Sequence, residues 1–183
     1  MMKTLGFVEF KSIAMGMEAT DEMLKSSNVR AVLSTAMCPG KYITLIEGDV
    51  DAVKNAVKVG KKVGDIFTID GYVLSNIHPD VFPALGATID INRNIDSIGV
   101  IETMSAISSI IAGDVAAKAG NIELLEIRLA RGLGGKGFTV ITGEIASVRA
   151  AITACEAELE KTGDVVYSTV ISAPNKQLIE NLL

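Results

Sequence analysis

Residues 5–28, LGFVEFKSIAMGMEATDEMLKSSN, and residues 98–121, IGVIETMSAISSIIAGDVAAKAGN, align without a gap. Gly6 meets Gly99, Glu9 meets Glu102, Ser12 meets Ser105, Asp21 meets Asp114, Lys25 meets Lys118, and Asn28 meets Asn121. After a short slip in a loop, Gly40-Lys41 meets Gly135-Lys136, Thr44 meets Thr139, Ile46 meets Ile141, and Gly48 meets Gly143. The period is 93 to 95 residues, too long for a solenoid repeat, so a whole domain is present twice.

Each copy reads as β-α-β-β-α-β. In the first, Thr4 to Phe10 is an apolar strand. Ser12 caps a helix on which Ile13, Met17, Thr20 and Leu24 recur at helical spacing, and Asn28 ends it in the left-handed conformation. Val29–Met37 and Tyr42–Glu47 are strands joined around Pro39-Gly40. Asp49 opens a second helix with Val50, Val53 and Val57 on its buried face, Ile66–Leu74 is the fourth strand, and a short helix follows Pro79. The second copy repeats the order: strand Ile98–Glu102, helix Ser105–Ala119, strands Ile122–Ala130 and Phe138–Thr142. Helix Glu144–Lys161 then carries an Ile145, Val148, Ile152, Cys155, Leu159 stripe, strand Val165–Ile171 follows, and a tail helix comes after Pro174. The fold class is therefore α+β, two tandem ferredoxin-like domains in unpermuted order. They are expected at 4–88 and 97–183, with IDINRNID (89–96) as linker.

The bulk composition narrows function by exclusion. Hydrophobic residues make up 49% and aromatics only 4%, so the apolar mass is Ala, Val, Ile and Leu, suited to thin packed layers and to burial against neighbouring subunits. A net charge of −5 without a basic run argues against nucleic acid. No stretch has the roughly 18 apolar residues of a membrane span, and the N-terminus lacks the apolar core of a signal peptide. Cys38 and Cys155 without such a signal are expected as reduced thiols in the cytosol. His78 is the only histidine, and no acid, base and nucleophile converge, so an enzyme is not expected. Cys155 falls on an apolar helical stripe opposite Gly60 in the repeat and reads as core. Gly132-Leu133-Gly134-Gly135-Lys136 lacks phosphate-loop spacing and joins two strands, so it reads as a hairpin. Glu9 and Glu102 read as structural, each serving the same strand-to-helix corner.

Three signatures recur in both copies: Gly-[Phe/Val]-[Val/Ile]-Glu at 6–9 and 99–102, Asp-x-x-x-Lys-x-x-Asn at 21–28 and 114–121, and Gly-Lys at the hairpin before an apolar strand. Together they resemble the bacterial microcompartment shell domain, over nearly the whole chain. The resemblance implies a tandem-domain shell protein, a homotrimer that imitates a hexamer and tiles with other shell proteins in the shell of a cytoplasmic organelle. Lys25 and Lys118 correspond to edge lysines of lateral assembly. The loops holding Met37, Cys38, Pro39 and Gly40, and Arg131, Gly132, Leu133, Gly134, Gly135 and Lys136, correspond to those lining the central pore. The family's arginine after the last strand is replaced by Asn76 and Ala173.

Met37-Cys38-Pro39-Gly40-Lys41 also resembles the loop of the propanediol-utilisation type of tandem shell protein, which implies a 4Fe-4S cluster at the trimer centre, one per trimer. One thiol cannot hold such a cluster, but Cys38 from three copies on a threefold axis fills three iron sites and leaves a fourth for another ligand. The implied role is electron transfer or cluster exchange across the shell, with an internal redox enzyme or an external carrier as partner. On the residues alone three alternatives stand. Cys38 is a small residue in the turn of a structural or metabolite-pore tile, or it is a ligand for zinc or stray iron, or the chain is a soluble ligand-binding regulatory module.

Overall fold

The computed structural model is an α+β chain and describes residues 4–86, 95–130, 132–160 and 162–182. The expected linker falls outside these, except for Ile95 and Asp96. The first copy runs β1 (Thr4–Phe10), α1 (Ile13–Ser26), β2 (Val29–Met37), β3 (Lys41–Gly48), α2 (Val50–Gly64), and β4 (Thr68–Leu74). A short helix, α3 (Val81–Leu85), follows. The second copy runs β5 (Ser97–Thr103), α4 (Ala106–Ala119), β6 (Ile122–Leu129), β7 (Gly137–Gly143), α5 (Ile145–Leu159), and β8 (Val165–Ser172), with α6 (Lys176–Leu182) as its tail. Two compact units divide the chain between Ile77 and His78, and the turn 132–135 groups with the first.

Each unit holds one four-stranded antiparallel sheet, β2-β3-β1-β4 in the first and β6-β7-β5-β8 in the second. This is the order two split β-α-β halves produce, so the ferredoxin-like reading holds. Even the irregularities recur. The ladder slips between Ala31 and Leu33 in β2 and between Leu124 and Glu126 in β6, and again after Glu9 and after Glu102.

The helices pack on one sheet face. In the first unit Val8 and Phe10 meet Ala19 and Met23 of α1 and Val53, Ala56 and Val57 of α2, each large side chain contributing about 1.5–3 kcal/mol by leaving water. A shared glycine sets the spacing. A Cβ on Gly6 would stand 2.6 Å from Val53 Cγ1, and one on Gly99 would stand 2.8 Å from both Ile141 Cγ1 and Val148 Cγ1. The repeated Gly-x-x-Glu signature thus begins with a helix–sheet contact that no larger residue fits.

Several local expectations need correcting. On α1 the buried stripe is Gly16, Ala19, Thr20 and Met23, whereas Ile13, Met17 and Leu24 face solvent. Gly16 decides this: a Cβ there would lie 2.6 Å from Tyr42, so the helix rests on its small residues. Thr20 is satisfied inside by donating to the Gly16 carbonyl at 2.6 Å and meeting the Thr44 hydroxyl. On α2, Val53 and Val57 are buried but Val50, at the first turn, is exposed. Asn28 is not left-handed; α1 ends through extended Ser27 into β2. The fourth strand starts at Thr68, because Asp65–Phe67 form a 3-10 turn. The expected Ser12 cap is present, its Oγ accepting from the Met15 amide, and Ser105, expected inside the helix, caps α4 in the same way by accepting from the Ser108 amide.

Candidate functional site: the hairpin tips

β2 and β3 pair from Val29 with Gly48 to Met37 with Lys41, so Cys38, Pro39 and Gly40 alone form the turn. Gly40 has φ 75°, and the Cys38–Pro39 peptide is cis. Met37 turns its side chain into the protein, Pro39 and Gly40 are exposed, and Cys38 is half-exposed. A Cβ on Gly40 would meet nothing within 4 Å, so the tip is uncrowded.

The residue after the turn is anchored. Lys41 Nζ donates to Glu9 Oε1 at 2.8 Å, and Glu9 is 1% exposed. The second copy repeats the device: Lys136 Nζ donates to Glu102 Oε1 at 2.9 Å, in a more open setting. An ammonium at each hairpin root is thereby tied back to the central strand, which fixes how the tip leaves the sheet. The two glutamates are structural, but they hold the hairpin roots rather than the expected strand-to-helix corner, with lysine partners that sequence reasoning did not assign. Their matched positions in the repeat were the available signal. Among the described residues Glu9 Oε2 and Glu126 Oε2 are buried without a hydrogen-bond partner; Glu126 Oε1 accepts from Arg128 Nε at 2.6 Å.

The second tip is longer. The Ala130 amide donates to the Lys136 carbonyl at 3.1 Å, and Ala130, Gly132, Gly134 and Gly135 all have positive φ, which confirms the hairpin reading. Leu133 is half-buried. In the first unit this turn comes close to the cysteine turn: a Cβ on Gly135 would lie 3.3 Å from Pro39 Cδ and 3.4 Å from the Cys38 carbonyl oxygen. Arg131 lies outside the described residues.

The remaining candidates sit elsewhere. Lys25 pairs with Asp21 and with Glu22 on the exposed end of α1, and the hydrogen bonds it donates, to Asp21 first and then to Glu22, raise its pKa. Lys118 pairs with Asp114 at 2.5 Å, and Asp114 is buried, its other oxygen accepting the His78 amide at 2.8 Å. His78 also accepts at its carbonyl from the Val81 amide, in the turn just before α3, whose N-cap is Asp80. Cys155 is fully buried and donates to the Ala112 carbonyl at 3.2 Å, and burial pushes its thiol up to about 12. Among the described residues no three His, Cys, Asp or Glu side chains of one chain converge on a metal position. A half-exposed thiol on an open turn has the chemistry of a soft-metal ligand.

Comparison with known proteins agrees with this architecture. The BMC domain family profile matches residues 4–78 and 97–174, one match per copy. The bacterial microcompartment shell protein PduT of Citrobacter freundii is 37% identical over 97% of this chain and 96% of its own length. PduA of Salmonella typhimurium, also a microcompartment shell protein, is 35% identical over 43% of this chain and 86% of its own length, as expected for a single copy. A crystal structure of a microcompartment protein from Desulfitobacterium hafniense DCB superposes with a TM-score of 0.91 at 41% identity, covering 98% of this chain and 99% of that one. No described helix is long and apolar enough to cross a membrane. With its signature residues, strand order and ladder irregularities all present twice, the chain belongs to the BMC-domain family of bacterial microcompartment shell proteins.

Proposed function

We propose that the chain is a structural tile of a microcompartment shell, that three copies close into a ring, and that their Cys38 turns meet at its axis to hold a 4Fe-4S cluster. The observation that carries the tile reading is the full-length likeness to PduT, both copies included. What supports the cluster is the half-exposed Cys38 thiol on a three-residue tip whose root is fixed by Glu9 and Lys41. Cys38 would be the ligand from each copy, and the cluster when bound would supply one-electron chemistry at the shell. Pro39, Gly40 and the 131–136 tip would line the opening around it, Met37 through its backbone alone, with Lys136 held back by Glu102. Lys25 and Lys118 would mediate lateral packing, each already oriented by an aspartate one helical turn earlier. The natural setting is a compartment for a small diol such as propanediol, with a redox enzyme inside or a carrier outside as electron partner.

Anoxically purified protein tests the cluster directly. Iron and sulfide in equal amounts, a visible or EPR signal, and its loss in Cys38→Ser with trimers intact are expected. An unchanged signal in that variant overturns the ligand assignment. Iron-free, sulfide-free wild type that still forms sheets in electron micrographs leaves a plain tile.

A further inference from the structure

The two tips share a root but not a length. Three residues, Cys38–Gly40, turn the chain between Met37 and Lys41, whereas five, 131–135, turn it between Ala130 and Lys136. The longer turn holds three glycines at positive φ, Gly132 at 71°, Gly134 at 62° and Gly135 at 96°. Gly132 and Gly134 answer to backbone conformation alone, because a Cβ on either would meet nothing within 4 Å. Gly135 is also crowded. A Cβ there would stand 3.3 Å from Pro39 Cδ, 3.4 Å from the Cys38 carbonyl oxygen and 4.0 Å from Lys41 Nζ.

Those three neighbours span the cysteine turn, which groups with residues 131–135 in the first unit. The root of the turn is tied down where Lys41 donates to Glu9 at 2.8 Å. On the Gly40 side the tip lies clear. At the cysteine itself the backbone of Gly135 lies against the carbonyl and against the proline ring that follows. Holding these two groups fixes the Cα–Cβ bond of Cys38, and with it the direction in which the thiol is displayed. A side chain at 135 would spoil the fit, since 3.3 Å is inside the roughly 3.5–4.0 Å at which carbon atoms rest. The turn also brings peptide groups and no carboxylate, so it approaches without setting a negative charge beside a thiolate.

We infer that Gly135 is a positioning residue for Cys38: the glycine-rich turn braces the cysteine turn and sets where its thiol points. The inference rests on Cys38 as the ligand in the proposed function and adds the second copy's turn to that site. A site assembled from separate chains needs each ligand held to within about 0.5 Å, and a brace at the ligand's own carbonyl supplies that where a free three-residue turn does not.

Metal-free, reduced protein carries the test, because the brace acts on the thiol with or without a cluster. Alkylation of Cys38 by iodoacetamide is followed by mass spectrometry, and a nitroxide label on Cys38 reports its motion through the EPR line shape. Buried Cys155 stays unmodified while the fold holds. Gly135→Ala is expected to speed alkylation at least about threefold and to sharpen the nitroxide line. Gly135→Asn is expected to do the same, because asparagine tolerates positive φ but still brings a Cβ to the contact. Gly163→Ala, at φ 68° in open space, is the control for strain without contact and is expected to leave both readouts unchanged. Wild-type rates and line shapes in both Gly135 variants overturn the brace. So does an effect of Gly135→Ala that is absent in Gly135→Asn or equalled in Gly163→Ala, which assigns it to backbone strain. The expected pattern in a protein that takes up no iron and sulfide leaves the brace standing and removes the cluster.

Discussion

Replacing Gly6 by Ala places a methyl 2.6 Å from Val53 Cγ1, 2.7 Å from Val57 Cγ2 and 3.2 Å from Ile46 Cγ1. Carbon atoms rest about 3.5–4.0 Å apart, so both valines must retreat by roughly 1 Å. Neither has room, since Val53 and Ile46 are fully buried and Val57 nearly so. The strand cannot yield either, because β1 is hydrogen-bonded to β3 on one side and β4 on the other. Over-packing of this kind costs about 1–3 kcal/mol, and the clash on two side chains at once points to about 2–3. The stiffer unfolded chain returns about 0.4–1, leaving a net loss of about 1–2.6 kcal/mol. Val53→Ala removes the nearest methyl. Alone it costs about 2 kcal/mol through lost burial and a cavity, but combined with Gly6→Ala it fills part of its own void. The pair is therefore expected to cost at least about 1 kcal/mol less than the two added. Equilibrium urea unfolding followed by circular dichroism reads all four proteins. A loss under about 0.5 kcal/mol for Gly6→Ala, or strictly additive doubles, would refute the claim that this glycine sets the helix–sheet distance.

The cysteines separate by environment. Cys38 is expected to react with a thiol reagent in the folded protein and Cys155 only after unfolding, because its thiol is raised from 9.0 to about 12 by burial. Since the folded value is the higher one, this group's contribution to stability is complete below pH 9 and is lost as pH rises toward 12; Cys155→Ala is expected to flatten that alkaline decline, and an unchanged slope would count against it. Glu9→Gln releases Lys41, so Lys41 acetylation measured by mass spectrometry is expected to rise severalfold while Lys136 is unaffected, with Glu102→Gln giving the reverse. Equal rates in wild type and variant would mean that the pairs do not hold the hairpin roots.

The duplication was legible because the residues that recur are those with no substitute, above all Gly6 and Gly99 at the helix–sheet contact. Strand order followed from the β-α-β-β-α-β reading, and the buried stripe of α5 was visible in Val148, Ile152, Cys155 and Leu159, although Ile145 at its start is only half-buried. On α1 the same logic misled. Ile13, Met17 and Leu24 form as good an apolar stripe as the buried one, and what decides between them is the bulk of Tyr42 against Gly16, a contact across the fold. Glu9 with Lys41 was out of reach for a related reason. The partners are far apart in sequence and meet only once the register of β1 on β3 is fixed. Cys38 stood out through its turn, because Pro39 and Gly40 mark a hairpin tip without any tertiary information.

The paired struts, Glu9 with Lys41 and Glu102 with Lys136, also bear on how the two tips diverged. One root construction carries a three-residue cysteine turn in one copy and a longer glycine-rich turn in the other. A one-domain relative such as PduA has a single tip sequence to vary, so any change there recurs in every subunit it builds. Fusing two copies into one polypeptide lifts that constraint: a costly or reactive side chain is written into half the tips, while the frame beneath both goes on being selected for the same shape.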